Sequence, residues 1–503
     1  MIIFYNKILL GGLKRGGLLW TCLFCVVLSE KYKLFLNLPP NFNGLKKEDM
    51  KIEKRWIISF VIISIVCISG LFWEVPLEPK NVHSQFGTID QIIPADVAWM
   101  LTSCCLVLIM TPGLAFFYGG MVGKKNVIST MLQSFICMGV VTLIWVVVGF
   151  SLAFGEPLGI RIGDGFYSFV GNPATFTFMD YVGVLPHKMI ASTVPFMLFA
   201  LFQMKFAVIA PAIITGSFAE RVRFISYLLF ICLFSIFIYS PLCHAVWYPT
   251  GILGSFFGVK DFAGGTVVHM SAGFAALAGV LVLGKRKNSN HVPTNIPFVL
   301  LGTGMLWFGW IGFNAGSSME ANGVAAMAFG TTTTSSAAAM LTWIFFDRIN
   351  GRKVSALGAC IGAVVGLVAV TPAAGYITVP ESMFFGFVAA LVSNKIVYSK
   401  YLKGIDDTLD VFACHGVGGI MGMILTAIFA HGEDASLLHG GWEVFGHHMM
   451  ALLLVSIYTF FGAYFLFKIT DKIIPMRVSE EAEIMGLDLS QHDETLFPIE
   501  CAE

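Results

Sequence analysis

Long apolar runs recur along this chain from residue 97 almost to its end. A helix needs about 20 mostly apolar residues to cross the hydrocarbon core of a bilayer. Eleven such runs are present, near 97–121, 126–153, 200–219, 223–243, 262–284, 294–316, 322–346, 354–373, 376–397, 409–430 and 447–469. Of all residues, 56% are hydrophobic and only 12% are charged, against about 25% charged in soluble domains. We therefore expect an all-α polytopic membrane protein with eleven transmembrane helices.

Basic residues in the loops predict the orientation of these helices. Alternate loops carry thirteen Lys and Arg residues: Lys124, Lys125, Arg221, Arg223, Lys285, Arg286, Lys287, Arg348, Arg352, Lys353, Lys395, Lys400 and Lys403. The loops between them carry only Arg161, Lys188 and Lys260. Because Lys and Arg accumulate in cytoplasmic loops, we expect an N-out/C-in membrane domain over 96–470 and a cytoplasmic tail over 471–503.

The first 95 residues do not follow this pattern. Met50 is followed by the basic segment KIEKR, by an apolar stretch near 56–73 and then by polar sequence up to about Ala95. A basic segment before a short apolar stretch is the layout of a secretory signal peptide. We expect an amino-terminal extension over 1–95 with a signal peptide at about 50–73 and translation starting at Met50. An additional amino-terminal membrane helix is the alternative.

Composition and motifs exclude several classes of function. The formal net charge is zero, which argues against a nucleic-acid partner. Most of the 11 cysteines lie inside apolar runs, so they form neither a disulfide framework nor a zinc pattern. No Walker loop, GxSxG or HExxH motif occurs in a usable context. We therefore expect no enzymatic activity, no cofactor and no metal.

Two histidines occupy comparable places in the two halves of the chain. The fifth run carries DFAGGTVVH, which ends at His269, and the tenth carries DVFACHGVGG, which contains His415. Five helices per half is an odd number, which predicts inverted repeats with one extra helix. A two-fold axis would bring both histidines together near the bilayer midplane. An ionisable residue there indicates a functional site, with interhelical hydrogen bonding and metal binding as alternatives.

Aromatic residues near the outer halves of the spans form a second candidate site. They are Phe202, Phe206, Trp247, Trp310 and Phe313. Aromatic ring faces can replace part of the hydration of a cation, and the hydroxyl of Ser317 could accept one N–H bond. An interfacial aromatic belt is the alternative.

The acidic residues near the spans favour structural roles. Asp261 precedes FAGG at the start of the fifth span, where a helix N-cap is expected. Asp406, Asp407 and Asp410 lie at the cytoplasmic end of the tenth span, where we expect capping and loop-bonding roles.

Several motifs together resemble the ammonium transporter family, the Amt/MEP/Rh superfamily, and its bacterial Amt type in particular. They are FAERVRF, DFAGGTVVH, GWIGFNAGS, VTPAAGYI and DDTLDVFACHGVGG. The resemblance covers about residues 92–492. It implies an eleven-helix bundle with inverted five-helix repeats, assembled as a homotrimer with one pore per subunit in the cell membrane. The spacing from Trp247 to Asp261 is about two residues longer than in bacterial members, which leaves the outer loop open.

The resemblance also implies roles for matching residues. Phe206, Trp247 and Ser317 correspond to the outer ammonium recruitment site, and Phe202 and Phe313 to a stacked gate below it. His269 and His415 correspond to the twin histidines of the pore. Tyr239 and Trp310 correspond to supporting pore residues, and Asp261 to a structural acid.

These roles imply a mechanism and partners. Ammonium would be recruited outside, lose a proton near the gate and cross as ammonia, with methylammonium as an analogue. The tail up to GLDLSQH resembles the family region that can meet a PII-type signalling protein. An ammonium sensor of the same fold, an Rh-like neutral gas channel and a membrane enzyme with a His-bound metal remain alternatives.

Overall fold

The computed structural model of the chain describes residues 54–72, 85–287, 292–399, 404–432 and 436–496. The chain divides into two units, residues 1–71 and 72–503. Within the first unit, helix α1 (Lys54–Ser69) is described, and a 3₁₀ turn at Gly70–Phe72 follows it. The apolar part of the predicted signal peptide is therefore helical. The predicted start at Met50 lies outside the described residues, and the signal peptide stays a prediction.

The second unit is mostly helical. Its helices are α2 Pro94–Leu108, α3 Met110–Met121, α4 Val127–Ile144, α5 Phe150–Phe154, α6 Phe196–Ile214, α7 Phe224–Phe234, α8 Ser240–Trp247, α9 Ser271–Leu283, α10 Ile296–Ala315, α11 Gly323–Ile349, α12 Ala356–Val370, α13 Val379–Val397, α14 Val417–Phe429, α15 Trp442–Ile473, α16 Glu480–Met485 and α17 Leu487–His492. Each apolar run predicted from the sequence coincides with one of these helices or with a consecutive pair of them.

Length and hydropathy identify membrane-spanning helices among the described residues. Nine helical stretches are long and apolar enough to cross a bilayer, of which Arg55–Phe72 is one and the other eight coincide with predicted runs. The three remaining runs are α11, α12 and α13. Helix α12 has only 15 residues, and α11 carries the polar stretch TTTTSS. The protein is therefore a multi-pass helical membrane protein.

Four of the long helices contain a π-helical turn. These turns are Trp145–Gly149, Ser235–Tyr239, Gly265–Met270 and Phe412–Gly416. A π turn adds one residue to the helical repeat and occurs frequently at functional sites. The last two turns carry His269 and His415, so both predicted pore histidines lie on locally widened helix.

A β-hairpin in the loop between α5 and α6 departs from the all-α prediction. Strand β1 (Pro157–Ile162) pairs with the antiparallel strand β2 (Gly165–Gly171). The segment GIRIGDGFYSFVG places residues that favour strands on both sides of a Gly-Asp-Gly turn, which is a hairpin signal. Gly163, in the turn, has a φ of +60°, a conformation that glycine adopts without strain. The fold is thus mostly, but not exclusively, helical.

Small residues allow the helices of the bundle to approach closely. A Cβ at Gly302 in α10 would overlap the backbone of Phe117 in α3. A Cβ at Gly386 in α13 would likewise overlap the carbonyl of Ser335 in α11. Close backbone approach through small residues is the common way in which membrane helices pack. The glycines of the spans therefore have a packing role.

The tail after α15 folds back onto loops of the same unit. The carboxylate of Asp488 accepts a 2.7 Å hydrogen bond from Ser129 N, and Leu487 N donates to Asn126 Oδ1 at 2.8 Å. The Gln491 side chain accepts from Phe224 N at 2.8 Å. Helices α16 and α17 therefore lie against the loops that precede α4 and α7, which are two of the loops rich in Lys and Arg.

Candidate functional site

The two predicted pore histidines lie in direct contact. Nδ1 of His269 and Nδ1 of His415 are 3.3 Å apart, and the ring centroids are 5.4 Å apart with 30° between the ring planes. Both side chains are buried. A hydrogen bond between two Nδ1 atoms needs a proton on one and a lone pair on the other. The geometry therefore fits two neutral rings with opposite tautomers.

Close packing of two glycines brings the histidines together. A Cβ at Gly273, one turn after His269, would overlap the backbone nitrogen and Cα of Gly416. Only glycine allows the backbones of the two helices to approach to this distance. The neighbouring imidazoles then meet across the contact. The pair thus depends on the glycine pattern of both motifs.

A narrow cavity adjoins the histidine pair. Its volume is about 10 Å³, which is about the space that one water-sized molecule needs. The walls are formed by Met110, Leu114, Phe117, Ile209, Ile213, His269, Leu306, Trp310, Phe313, Val364 and His415. The imidazoles and the indole of Trp310 are the polar groups of this lining, and the rest is hydrocarbon or aromatic. Such walls offer a bare ion little to replace its hydration shell. A small neutral molecule loses much less hydration energy when it enters.

Trp310 supports one face of the pair. Its ring stacks on His269 with centroids 5.2 Å apart and 18° between the planes. Its indole N–H donates to Thr371 Oγ1 at 2.9 Å, which fixes the orientation of the ring. Thr371 belongs to the VTPAAGYI stretch, but the sequence alone did not identify it as a site residue. Because the N–H of a buried tryptophan usually has a hydrogen-bond acceptor, the sequence did indicate that Trp310 needs a polar partner on a neighbouring helix.

Two phenylalanine rings close the cavity on one side. Phe206 and Phe313 stack with centroids 4.0 Å apart and 22° between the planes. Phe313 also lies 6.0 Å from the ring of His269. The stack therefore stands directly against the histidine pair, with no further aromatic residue between.

The stacked partner of Phe313 differs from the predicted one. The resemblance assigned Phe202 to the stack and Phe206 to the site above it, but Phe206 forms the stack. Phe202 packs on the edge of Phe206 with centroids 4.9 Å apart. The physical reason is the helical repeat: Phe202 and Phe206 are four residues apart in α6 and therefore lie one turn apart on the same face, and the ring of Phe206 is the one that reaches Phe313. Phe202 packs beside Gly316, next to Ser317.

Trp247 and Ser317 lie on the other side of the phenylalanine stack. Trp247 meets Phe206 edge-on, with centroids 6.0 Å apart, and its indole N–H donates to the carbonyl of Asp261 at 2.8 Å. Ser317 Oγ donates to the carbonyl of Phe313 at 2.8 Å. Its hydroxyl proton is thus used, and its oxygen lone pairs remain able to accept an N–H bond. Both residues are partly exposed.

The carboxylate of Asp261 caps the π turn that carries His269. Oδ1 accepts from Gly264 N at 2.8 Å and from Gly265 N at 2.6 Å. Oδ2 accepts from both the backbone N–H and the hydroxyl of Thr266. These four bonds occupy the carboxylate, and the side chain is buried. The geometry is that of a structural cap and not of a cation ligand.

Two further acids lie just before the π turn of His415. Asp407 Oδ2 accepts a 2.7 Å bond from Phe412 N at the start of that turn. Asp410 adopts a φ of +56°, and part of its surface remains accessible. Burial raises the pKa of Asp407 to about 6. Burial, assisted by the charge of Asp407, raises the pKa of Asp410 to about 8.

Tyr239 is placed differently from the other predicted pore residues. It ends the π turn Ser235–Tyr239, and its ring packs against Trp145 with centroids 6.4 Å apart. It is fully buried but does not line the cavity beside the histidines. The supporting role that the resemblance implies for Tyr239 stays a prediction.

Metal chemistry finds no support within the described ranges. Across residues 54–72, 85–287, 292–399, 404–432 and 436–496, no group of three or more His, Cys, Asp or Glu side chains could hold a metal ion. The histidine pair faces hydrocarbon and aromatic side chains in place of further ligands. The site therefore combines the partly exposed Trp247 and Ser317, the Phe206–Phe313 stack and a mostly apolar cavity beside two buried imidazoles.

The chain is similar to known proteins over most of its length. Residues 98–497 match the Ammonium Transporter Family. A putative ammonium transporter of Methanothermobacter thermautotrophicus is 41% identical over 408 residues, covering 80% of this chain and 97% of the relative. An ammonium transporter of Bacillus subtilis is 41% identical over 410 residues, covering 80% and 98%.

Solved structures show the same fold. Mep2 of Candida albicans superposes with a TM-score of 0.72 at 32% identity, covering 78% of this chain and 89% of that chain. A structure described as a sensor Amt protein superposes with a TM-score of 0.71 at 26% identity, covering 80% and 100%. The fold is that of a multi-pass helical membrane protein. The chain belongs to the ammonium transporter family, as its motifs predicted.

Proposed function

We propose that this protein transports ammonium selectively across the cell membrane, passing it through the pore as ammonia. One observation carries the proposal: the Phe206–Phe313 stack lies directly against the buried histidine pair, at the end of a mostly apolar cavity. A cation-binding vestibule on one side of the stack and a passage suited to a neutral molecule on the other require a proton to be lost between them.

Recruitment of ammonium would take place at Phe206, Trp247 and Ser317. The two rings meet edge-on, so an ammonium ion between them reaches an aromatic face, which contributes about 0.5–2 kcal/mol. The Ser317 oxygen would accept one N–H bond. Phe202, packed on the edge of Phe206, extends the aromatic surface. These contacts replace part of the hydration shell that the ion loses.

Selectivity against potassium would follow from the ability of ammonium to release a proton. Potassium is similar in size to ammonium, but it can neither donate a hydrogen bond to Ser317 nor become neutral. Moving a bare cation into hydrocarbon costs several kcal/mol or more. Ammonium avoids that cost by releasing a proton near the stack, and ammonia crosses alone. The stacked rings have to separate transiently to let it pass.

The histidine pair would guide ammonia and relay the proton. In the neutral pair one Nδ1 donates and the other accepts, so each ring still offers one nitrogen to a guest. Nε2 of His269 is buried and has no hydrogen-bond partner, which leaves it available to ammonia. Imidazole titrates near pH 6.5 in water, so the pair can exchange protons with a passing ammonium ion.

The architecture that we propose has eleven spans in inverted five-helix repeats plus one extra helix, oriented N-out/C-in. The two histidines support it, because they lie on π turns in the fifth and tenth helical spans and meet at Gly273–Gly416. Three copies would assemble, each with its own pore. The cytoplasmic tail would be the meeting place for a PII-type signalling protein, and a pull-down of this protein by PII tests that partner.

Uptake by purified protein tests the function. Proteoliposomes should accumulate labelled methylammonium and lose that uptake when excess ammonium is added, whereas excess potassium should leave it unchanged. Trp247→Leu should raise the half-saturating concentration by about tenfold, since a cation–π contact is lost. Trp442→Leu, an exposed tryptophan at the start of α15, is the matched control. Absence of uptake by the wild-type protein would overturn the proposal.

An ammonium sensor is the second candidate, because a structure described as a sensor Amt protein shares the fold. Growth rescue of a cell that lacks ammonium uptake separates the two functions. A transporter restores growth at low ammonium, whereas a sensor that binds without turnover does not.

A further inference from the structure

A cavity near the charged loops lies away from the pore and has no part in the proposed transport path. Its volume is about 640 Å³, within the roughly 300–1,000 Å³ of a typical small-molecule site. The described residues of its walls come from four places: the loop between α3 and α4, Glu220 between α6 and α7, the residues Arg286, Lys287, Val292 and Thr294 between α9 and α10, and Glu483 and Ile484 in the tail.

Four cationic residues line this cavity, together with two acids. The cationic residues are Lys124, Lys125, Arg286 and Lys287, and the acids are Glu220 and Glu483. Both acids already have partners. Glu220 accepts from Gly123 N at 2.6 Å and pairs with Arg286 at 2.7 Å. Glu483 accepts from Arg477 at 2.8 Å and from Lys287 N at 2.6 Å. Neither acid therefore neutralises the two lysines of the α3–α4 loop.

Lys124 and Lys125 carry the excess positive charge. Both are exposed, and no carboxylate in the described part of the chain lies within ion-pair distance of either. The one polar contact of Lys125 Nζ is a long one, 3.4 Å, to the carbonyl of Ile484 in the tail. By contrast, Lys287 pairs with Glu480 at 2.9 Å. Two adjacent ammonium groups thus face a roomy cavity without a counter-ion.

The backbone around these lysines is held in place by the tail. Asp488 N donates to the carbonyl of Lys125 at 3.1 Å, and a Cβ at Gly486 would overlap that residue. The carboxylate of Asp488 already occupies the start of α4 through Ser129 N. The helix terminus is therefore satisfied, and the free binding capacity of the cavity lies in the lysine side chains.

We propose that this cavity binds a phosphate-bearing anion, held by Lys124 and Lys125 against the tail. Phosphate oxygens form charge-assisted hydrogen bonds with ammonium groups, and the cavity admits a group as large as a polyphosphate. The anion comes either from a soluble phosphate compound or from an anionic lipid headgroup. Because loop and tail both form the walls, the bound anion connects them and stabilises the docked tail.

Titration of the full-length purified protein with sodium tripolyphosphate tests the site. We expect saturable binding to the wild-type protein that weakens as ionic strength rises, because salt screens exposed charges. Lys124→Gln/Lys125→Gln should weaken binding by about tenfold or more. Arg348→Gln/Lys353→Gln is the matched control, because it removes two exposed charges from another basic loop. The affinity of this control variant for tripolyphosphate should stay within about twofold of the wild-type value.

Two further measurements complete the test. If the double lysine variant does not elute as a folded species, Lys124→Gln alone is titrated, and it should still bind several-fold more weakly. Nanodiscs with or without phosphatidylglycerol assign the source: anionic lipid that blocks tripolyphosphate binding identifies a headgroup site, and unchanged binding identifies a soluble ligand. No saturable binding, or an equal loss in the lysine and control variants, would overturn the proposal.

Discussion

Asp261 illustrates how a single acidic residue can suggest either a cation ligand or a helix cap. An acidic residue beside a proposed cation site could be expected to bind the cation. The carboxylate of Asp261, however, accepts four hydrogen bonds from residues 264–266. The sequence favoured a cap because Asp261 precedes two glycines at a helix start, a position where backbone N–H groups need acceptors. The structure adds that the capped segment is the π turn of His269.

Removal of this cap should destabilise the protein. Asp261→Ala leaves the N–H groups of Gly264, Gly265 and Thr266 without their acceptor inside the protein. We expect a loss of about 3 kcal/mol or more in the free energy of unfolding, measured as a lower thermal midpoint in detergent. Asp164→Ala, at the exposed tip of the hairpin, should leave the midpoint unchanged. An Asp261→Ala protein of wild-type stability with weakened ammonium binding would instead make Asp261 a ligand.

Asp410 should make stability depend on pH. Its raised pKa of about 8 means that the folded protein keeps a proton that the unfolded chain releases near pH 4. The contribution of Asp410 to the free energy of unfolding therefore falls as the pH rises from about 4 to about 8. Asp410→Asn removes the effect and tolerates the same positive φ. The variant should melt several degrees above the wild type at pH 8, with the difference shrinking toward pH 5.

A constant difference between these two proteins across the pH range would contradict the assignment to Asp410. A variant that melts below the wild type at pH 8 would contradict it as well. In both cases the carboxyl of Asp410 would be ionised in the folded protein.

At the scale of elements, the sequence predicted where helices lie but not how they bend. Apolar runs place the helices because a bilayer demands about 20 apolar residues. The π turns at Gly265–Met270 and Phe412–Gly416 follow from tertiary contacts that periodicity does not contain. The hairpin at 157–171 did have a sequence signal, the Gly-Asp-Gly turn between two segments that favour strands. A search for long apolar runs does not detect this signal.

The contact at Gly273 and Gly416 is the element on which the histidine pair depends. Gly273→Ala would push the two helices apart, since its Cβ overlaps the backbone of Gly416. Overpacking of this kind costs about 1–3 kcal/mol, and methylammonium uptake should fall by about tenfold or more. Gly304→Ala on α10 is the control, because no atom lies within 4 Å of its added Cβ. Equal uptake by both variants would contradict the role of this contact.

At the scale of the whole molecule, charge in the loops remains the basis for orientation. The tail docks on the loops of Asn126 and Phe224, so the tail and these two basic loops lie on one side of the bundle, as the loop charges predicted. The side of the bundle that faces the cytoplasm is determined by how the protein inserts into the membrane, and contacts within the protein do not determine it. The motifs also did not predict which phenylalanine stacks on Phe313, because that pairing depends on which turn of α6 packs against α10.

Labelling in intact cells tests the orientation. An impermeant maleimide should modify Asp164→Cys in the hairpin but not Lys353→Cys in the loop between α11 and α12, with the unmodified protein as background. Both positions are exposed, so access depends on the membrane alone. Cell lysis should expose the second position. Labelling of Lys353→Cys alone in intact cells would reverse the proposed topology.

Ammonium-evoked current and potassium leak in proteoliposomes test the central claim most directly. The claim is that His269 and His415 line the path along which ammonium loses its proton and ammonia crosses. His269→Ala/His415→Ala should reduce the ammonium-evoked current by about tenfold or more, and it should weaken discrimination against potassium because the cavity becomes wider. Unchanged ammonium flux and unchanged rejection of potassium in the folded double variant would contradict the account.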